Sequence, residues 1–169
     1  DLKKMVLFLE ITIEMEKVMS EVNKHFALIG KRLKDKNGDT MFAKTTLSSE
    51  EKGIMKQYIN AAAETFVAEL APQVTYYKNG DAMVIKFENS RWADGEDGIT
   101  VPFEGNFMGY VIAYVSNAVL GMTEAELAQK YAADMANHIA AAIKLIYHKT
   151  PPASSNKSLA DMTGEIIID

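Results

Sequence analysis

Leu9-Glu10-Ile11-Thr12-Ile13-Glu14-Met15 alternates apolar and polar residues without a break, the period of a strand with one buried face. From Met15 the spacing changes. Met15, Val18, Met19, Val22, Phe26, Ile29 and Leu33 recur every three or four residues, as on the buried stripe of an amphipathic helix. The two periods predict a strand over about 6–13 that runs straight into a helix over about 14–34. A strand placed so early needs a partner from far along the chain or from another chain, which points to an α+β fold.

The remaining chain offers a candidate partner. Gln73 to Lys78 and Ala82 to Phe87 flank Asn79-Gly80, the dipeptide favoured in tight hairpin turns because both of its residues tolerate positive φ. Before this hairpin, Ser48 and Glu51 fit a capping box, and Met55, Ile59, Ala62, Phe66 and Leu70 keep helical spacing until Pro72, which cannot continue a helix. After it, the polar stretch Glu88 to Gly98 is expected as a loop. Ile99-Thr100-Val101-Pro102-Phe103 is expected as a short strand end or edge, from its β-branched residues and its proline. Two helices follow, over 104–120 and from a second capping box at Thr123 and Glu126 to about His148. The expected fold is therefore mainly helical, with about four helices and a small antiparallel sheet made of the 73–87 hairpin and the N-terminal strand.

The 169 residues read as one α+β domain over 1–152 and an extended C-terminal tail over 153–169. Lys149-Thr150-Pro151-Pro152 marks the boundary, and a Ser-, Asn- and Lys-rich linker then runs to Glu165-Ile166-Ile167-Ile168-Asp169. A hydrophobic fraction of 48% and a charged fraction of 24% are those of an ordinary globular protein. The net charge of −5 speaks against a protein that coats nucleic acid over a broad surface. It leaves room for a local basic strip. Without cysteine there are no disulfides, thiolate metal sites or cysteine nucleophiles. The apolar run Met5 to Leu9 after Lys3 and Lys4 is broken at Glu10, with no small-residue cleavage site behind it. No stretch approaches the roughly 20 apolar residues of a membrane span.

No catalytic or metal-binding pattern is found. Asp94-Gly95-Glu96-Asp97-Gly98 invites comparison with a calcium loop, but alignment on Gly98 puts Ala93 and Gly95 where oxygen ligands are required. His25, His138 and His148 form no paired-ligand spacing, and no serine sits in a nucleophile elbow. Gly105 and Gly109 have the spacing of close helix contact. The basic run Lys24, Lys31, Arg32, Lys34, Lys36 is a solvated helix face or a strip facing nucleic acid, with Lys31, Arg32, Lys34 and Lys36 as the DNA-facing candidates. Arg91-Trp92 is a candidate subunit-interface anchor, since both residue types are enriched at binding hot spots. Ile166, Ile167 and Ile168 are interface candidates too, as a strand that adds to an open sheet edge.

Several phrases carry a family resemblance: Ile11-Thr12-Ile13 leading into Val18 and Val22, then Ile29-Gly30-Lys31, then Thr46-Leu47-Ser48-Ser49-Glu50-Glu51 opening a helix with Ala61-Ala62-Ala63-Glu64, and Ile146-Tyr147-His148-Lys149 before Pro151-Pro152. In order and layout the chain resembles the head–tail connector (neck or adaptor ring) proteins of tailed bacteriophages of Bacteroides-type hosts, over most of residues 8–152. The resemblance implies a virion structural protein without enzymatic activity, metal or cofactor. It implies a homo-oligomeric ring at the head–tail junction, contacts with portal and tail or neighbouring ring proteins, and sequence-independent contact with packaged DNA. No membrane partner is expected, since no stretch is apolar for long enough to span one. The alternative is a bacterial protein that binds a peptide or a small ligand without catalysis, with Tyr110, Tyr114 and Tyr131 as candidate pocket walls.

Overall fold

The computed structural model describes residues 9–32, 49–88, 96–120 and 125–147. The protein is α+β. Strand β1 (Leu9–Glu14) runs directly into helix α1 (Met15–Arg32). Helix α2 (Ser49–Leu70), the hairpin of β2 (Val74–Asn79) and β3 (Ala82–Phe87), and helices α3 (Glu96–Leu120) and α4 (Ala125–Tyr147) follow.

The sheet is antiparallel with order β1-β3-β2. Leu9, Ile11 and Ile13 stand opposite Phe87, Ile85 and Met83, and all six are buried. Glu10, Thr12 and Glu14 are exposed, as the alternation requires. Because a strand's side chains repeat every two residues, a one-residue slip would turn three isoleucine or leucine side chains to water and three polar ones to the core. The hairpin turn needs left-handed backbone, and Gly80 supplies it at φ 63°. On the outer face Val84 stands between Thr12 and Tyr77. The Tyr77 hydroxyl reaches across β3 to donate to Glu10 Oε2 at 3.3 Å, which helps bury Val84 on an otherwise polar face.

The helices cover the other face. Phe66 of α2 packs edge-on against Phe103 and Phe107 of α3, with ring centroids 5.7 and 5.4 Å apart, and Phe87 of β3 meets Phe103 at 4.8 Å. Val18 and Val22 of α1, Ile59 of α2, and Ala142 and Ile146 of α4 join the same core.

Residues 99–103 differ from the expected strand. They are helical, and Pro102 lies inside α3. The β-branched run and the proline carry local strand and turn preference, but Ile99, Phe103, Phe107, Tyr110 and Val111 are all buried at helical spacing. Burying each such side chain is worth about 1.5–3 kcal/mol, so three of them outweigh the roughly 3 kcal/mol penalty of a helix-interior proline. Glu96–Gly98, expected in the preceding loop, forms the start of α3. Ser48 and Thr123, the two expected caps, lie outside the described residues.

Candidate functional site

α3 is buried on more than one side, and it meets its neighbours along two polar seams. The first joins α1, α3 and α4. His25 of α1 is half-buried, with its ring edge-on to Tyr131 of α4 at 5.7 Å between centroids. His25 Nε2 lies 2.9 Å from the Tyr131 hydroxyl. Burial holds the imidazole below its ordinary value of 6.5. The Lys130 charge adds to this and the Asp134 carboxylate opposes it. Burial also raises the Tyr131 phenol, while the neighbouring Ser116 hydroxyl favours its ionised form and Asp134 disfavours it. Ser116 is fully buried on α3, and its Oγ meets no partner at hydrogen-bond geometry among the described residues. Ala113, Leu120, Leu127 and Met135 pack around Tyr131.

The second seam lies between α3 and α4. Asn106 Nδ2 donates to the Pro102 carbonyl at 2.9 Å. Only the NH2 group can donate there, so Asn106 Oδ1 is the acceptor that faces His138 Nδ1 at 3.0 Å. His138 Nδ1 therefore carries a hydrogen. This chain of hydrogen bonds holds the His138 ring over Gly109. A Cβ at that position would come within 2.4 Å of His138 Cε1 and Nε2, whereas one at Gly105 would meet nothing within 4 Å. Of the two glycines paired by spacing in the sequence, Gly109 alone makes a close approach.

The tyrosines offered as pocket walls do not share a face. Tyr110 tilts against Phe66 at 5.2 Å and against Tyr114 at 6.2 Å. Tyr131 packs on Ala113 and Leu120, about a quarter-turn away around α3 at roughly 100° per residue. Burial raises the Tyr110 phenol, helped by Tyr114 and Glu69. Among the described residues no three His, Cys, Asp or Glu side chains form a group able to hold a metal ion. No helix of the described residues is long and apolar enough to cross a membrane.

No protein-family model, curated protein or solved structure matches this chain.

The surface carries the remaining functional features. β1 and β2 flank the sheet, and among the described residues each pairs only with β3. On α2, Ile54 is 50% and Tyr58 36% exposed, one helical turn apart. Lys24 is exposed and pairs with Glu21 at 3.1 Å. Lys31 and Arg32 are the last two residues of α1, and their side chains lie outside the described set. Lys34, Lys36, Arg91, Trp92, Ile166, Ile167 and Ile168 lie outside the described residues altogether. The His25–Tyr131 pair is 106 residues apart in sequence, and no local spacing signals it. The Gly109–His138 notch was half visible, in the glycine spacing.

Proposed function

We propose that this protein is a virion structural subunit, a member of a homo-oligomeric ring at the head–tail junction of a tailed bacteriophage, without enzymatic activity. The observation that carries the reading is the pair of sheet flanks, β1 and β2, neither of which has a second strand partner among the described residues. Unpaired strand edges expose rows of N–H and C=O groups and are normally covered. A neighbouring copy, or an extended terminus such as Glu165 to Asp169, covers them by β-augmentation. Exposed Ile54 and Tyr58 add apolar surface to the same requirement. The layout resemblance to connector proteins supplies the setting, with portal, tail or adjoining ring proteins as neighbours and with Lys31, Arg32, Lys34 and Lys36 toward DNA. An open edge equally accepts a foreign extended peptide, so a peptide-binding protein is the alternative.

Electron microscopy of the full chain beside a chain ending at Pro152 tests the reading. Rings from the full chain, weakened or lost on truncation, support it. A monomer that captures extended peptides and never self-assembles supports the alternative. Charge reversal at Lys31, Arg32, Lys34 and Lys36 is expected to abolish any salt-sensitive DNA retention. Retention unchanged by the reversal removes the DNA role of that strip.

A further inference from the structure

The ladder of the sheet fixes which of its backbone groups stay open. In an antiparallel pair, bonded and non-bonded residue pairs alternate along the strands. The Met15 amide donates to the Asp81 carbonyl, and the Glu88 amide to the Gln73 carbonyl. Each is a bonded pair one step beyond the register of its strands. On β1, Leu9, Ile11 and Ile13 therefore bond to β3, and Glu10, Thr12 and Glu14 turn their N–H and C=O groups outward. On β2, Thr75, Tyr77 and Asn79 bond to β3, and Val74, Tyr76 and Lys78 face outward. Both strands are antiparallel to β3, so β1 and β2 run in the same direction.

Two copies can join by these flanks in three ways, which differ in what they bring together. β1 against β1 about a two-fold axis is antiparallel. The register that uses all three open positions sets Glu10 opposite Glu14 of the second copy, twice over. Like charges directly opposite destabilise a sheet. β2 against β2 in the same manner sets Val74, a buried core residue, opposite the exposed Lys78 of the second copy. β1 against β2 remains. Joined antiparallel, bonded residues share a face, so the exposed row Glu10, Thr12, Glu14 would continue into the inner row Val74, Tyr76, Lys78. Joined parallel, each open residue bonds to the two neighbours of the residue beside it. The exposed row of β1 then stands beside Thr75, Tyr77 and Asn79, which are exposed as well. Leu9 and Ile11 stand beside Val74 and Tyr76. Carboxylates meet hydroxyl and amide groups, and no like charges face each other.

We infer that β1 of one copy adds in parallel to β2 of the next, so that neighbouring copies share one continuous sheet. The inference rests on the ring reading above and specifies its contact. Each copy gives β1 to one neighbour and β2 to the other, a head-to-tail contact that repeats from copy to copy. The chemistry of both flanks disfavours a two-fold dimer.

Proline separates these pairings, because at an outward position it removes an N–H that takes no part in the bonds to β3. T12P blocks β1 and K78P blocks β2. Each variant alone, checked for folding by circular dichroism, is expected as a monomer of 18.7 kDa in light scattering. Their equimolar mixture is expected as a heterodimer of twice that mass, since each retains the flank that the other lacks. With a wild type that assembles, a dimer of either variant alone, full assembly of either, or a mixture that stays monomeric overturns the inference. A wild type that stays monomeric at every concentration overturns the ring reading and this contact together. Amide exchange of the wild type needs no substitution. In the assembled particle the amides of Glu10, Thr12 and Glu14, and those of Val74, Tyr76 and Lys78, are expected to exchange at least about ten-fold more slowly than in the diluted monomer. Slowing at one flank alone, or at neither, overturns the inference.

Discussion

Gly109→Ala is expected to destabilise the protein, although alanine is the better helix former. Gly109 lies well inside α3, where the exchange by itself favours the helix by about 1 kcal/mol. Against that, the new methyl would sit 2.4 Å from two atoms of the His138 ring. Two routes relieve the contact. The ring swings outward and gives up its hydrogen bond to Asn106, worth about 1 kcal/mol, together with its packing on α3. Otherwise α3 and α4 move apart, an overpacking effect in the upper part of the usual range of about 1–3 kcal/mol, because the contact is as short as 2.4 Å to two ring atoms. Either route amounts to about 2–3 kcal/mol, which leaves a net loss of about 1–2 kcal/mol after the helix gain. For a chain of this size that is a fall in Tm of about 2–8 °C. The double-mutant cycle with H138A makes the reasoning specific. In the H138A background the obstacle is gone, and G109A should become stabilising by up to about 1 kcal/mol. Urea unfolding of the four proteins measures both arms. A G109A variant as stable as wild type, or one equally destabilising with and without His138, would refute the notch.

Phe66→Ala removes a fully buried ring that touches Phe103, Phe107 and Tyr110, and is expected to lower unfolding free energy by about 3–5 kcal/mol in denaturant titration. Gly80→Ala puts a side chain on left-handed backbone in open space, so conformation alone sets the effect. The expected loss is about 1 kcal/mol, with Gly80→Asn milder, both read from thermal melts. Stability should also depend on pH through His25. Its folded value lies below 6.5 because burial penalises the cation, so the native state binds fewer protons than the unfolded chain. The contribution is fully present above 6.5 and declines as pH falls through 6.5 toward the lower folded value. H25Q melts between pH 5 and 8 should show a flatter profile than wild type.

Much of the fold was legible in the sequence, because its decisive signals are local. The Leu9–Met15 alternation and the Asn79-Gly80 turn each fix an element by period or turn chemistry within a few residues. They also imply the sheet, since β1 had to find a strand and the hairpin offered the one with Met83, Ile85 and Phe87 facing inward. The segment 99–103 was misread because its preference as a pentapeptide conflicts with its place in the molecule. Ile99 and Phe103 begin a stripe that continues through Phe107 to Val111, and that burial settles the conformation. The polar seams were less legible. His25 of α1 and Tyr131 of α4 meet from 106 residues apart, and Gly109 takes its meaning from a ring 29 residues later. Such pairings follow from tertiary packing and leave no short-range pattern. The basic strip, Arg91-Trp92 and the isoleucine-ended tail remain sequence-based expectations, which the proposed truncation and charge-reversal experiments address.

The central claim is that the open flanks of the β1-β3-β2 sheet are completed by association. Mass in solution, measured for the full chain by light scattering across a wide concentration range, tests it most directly. The account predicts a discrete particle several times the 18.7 kDa of one chain. A compact particle that stays at 18.7 kDa at every concentration would contradict it.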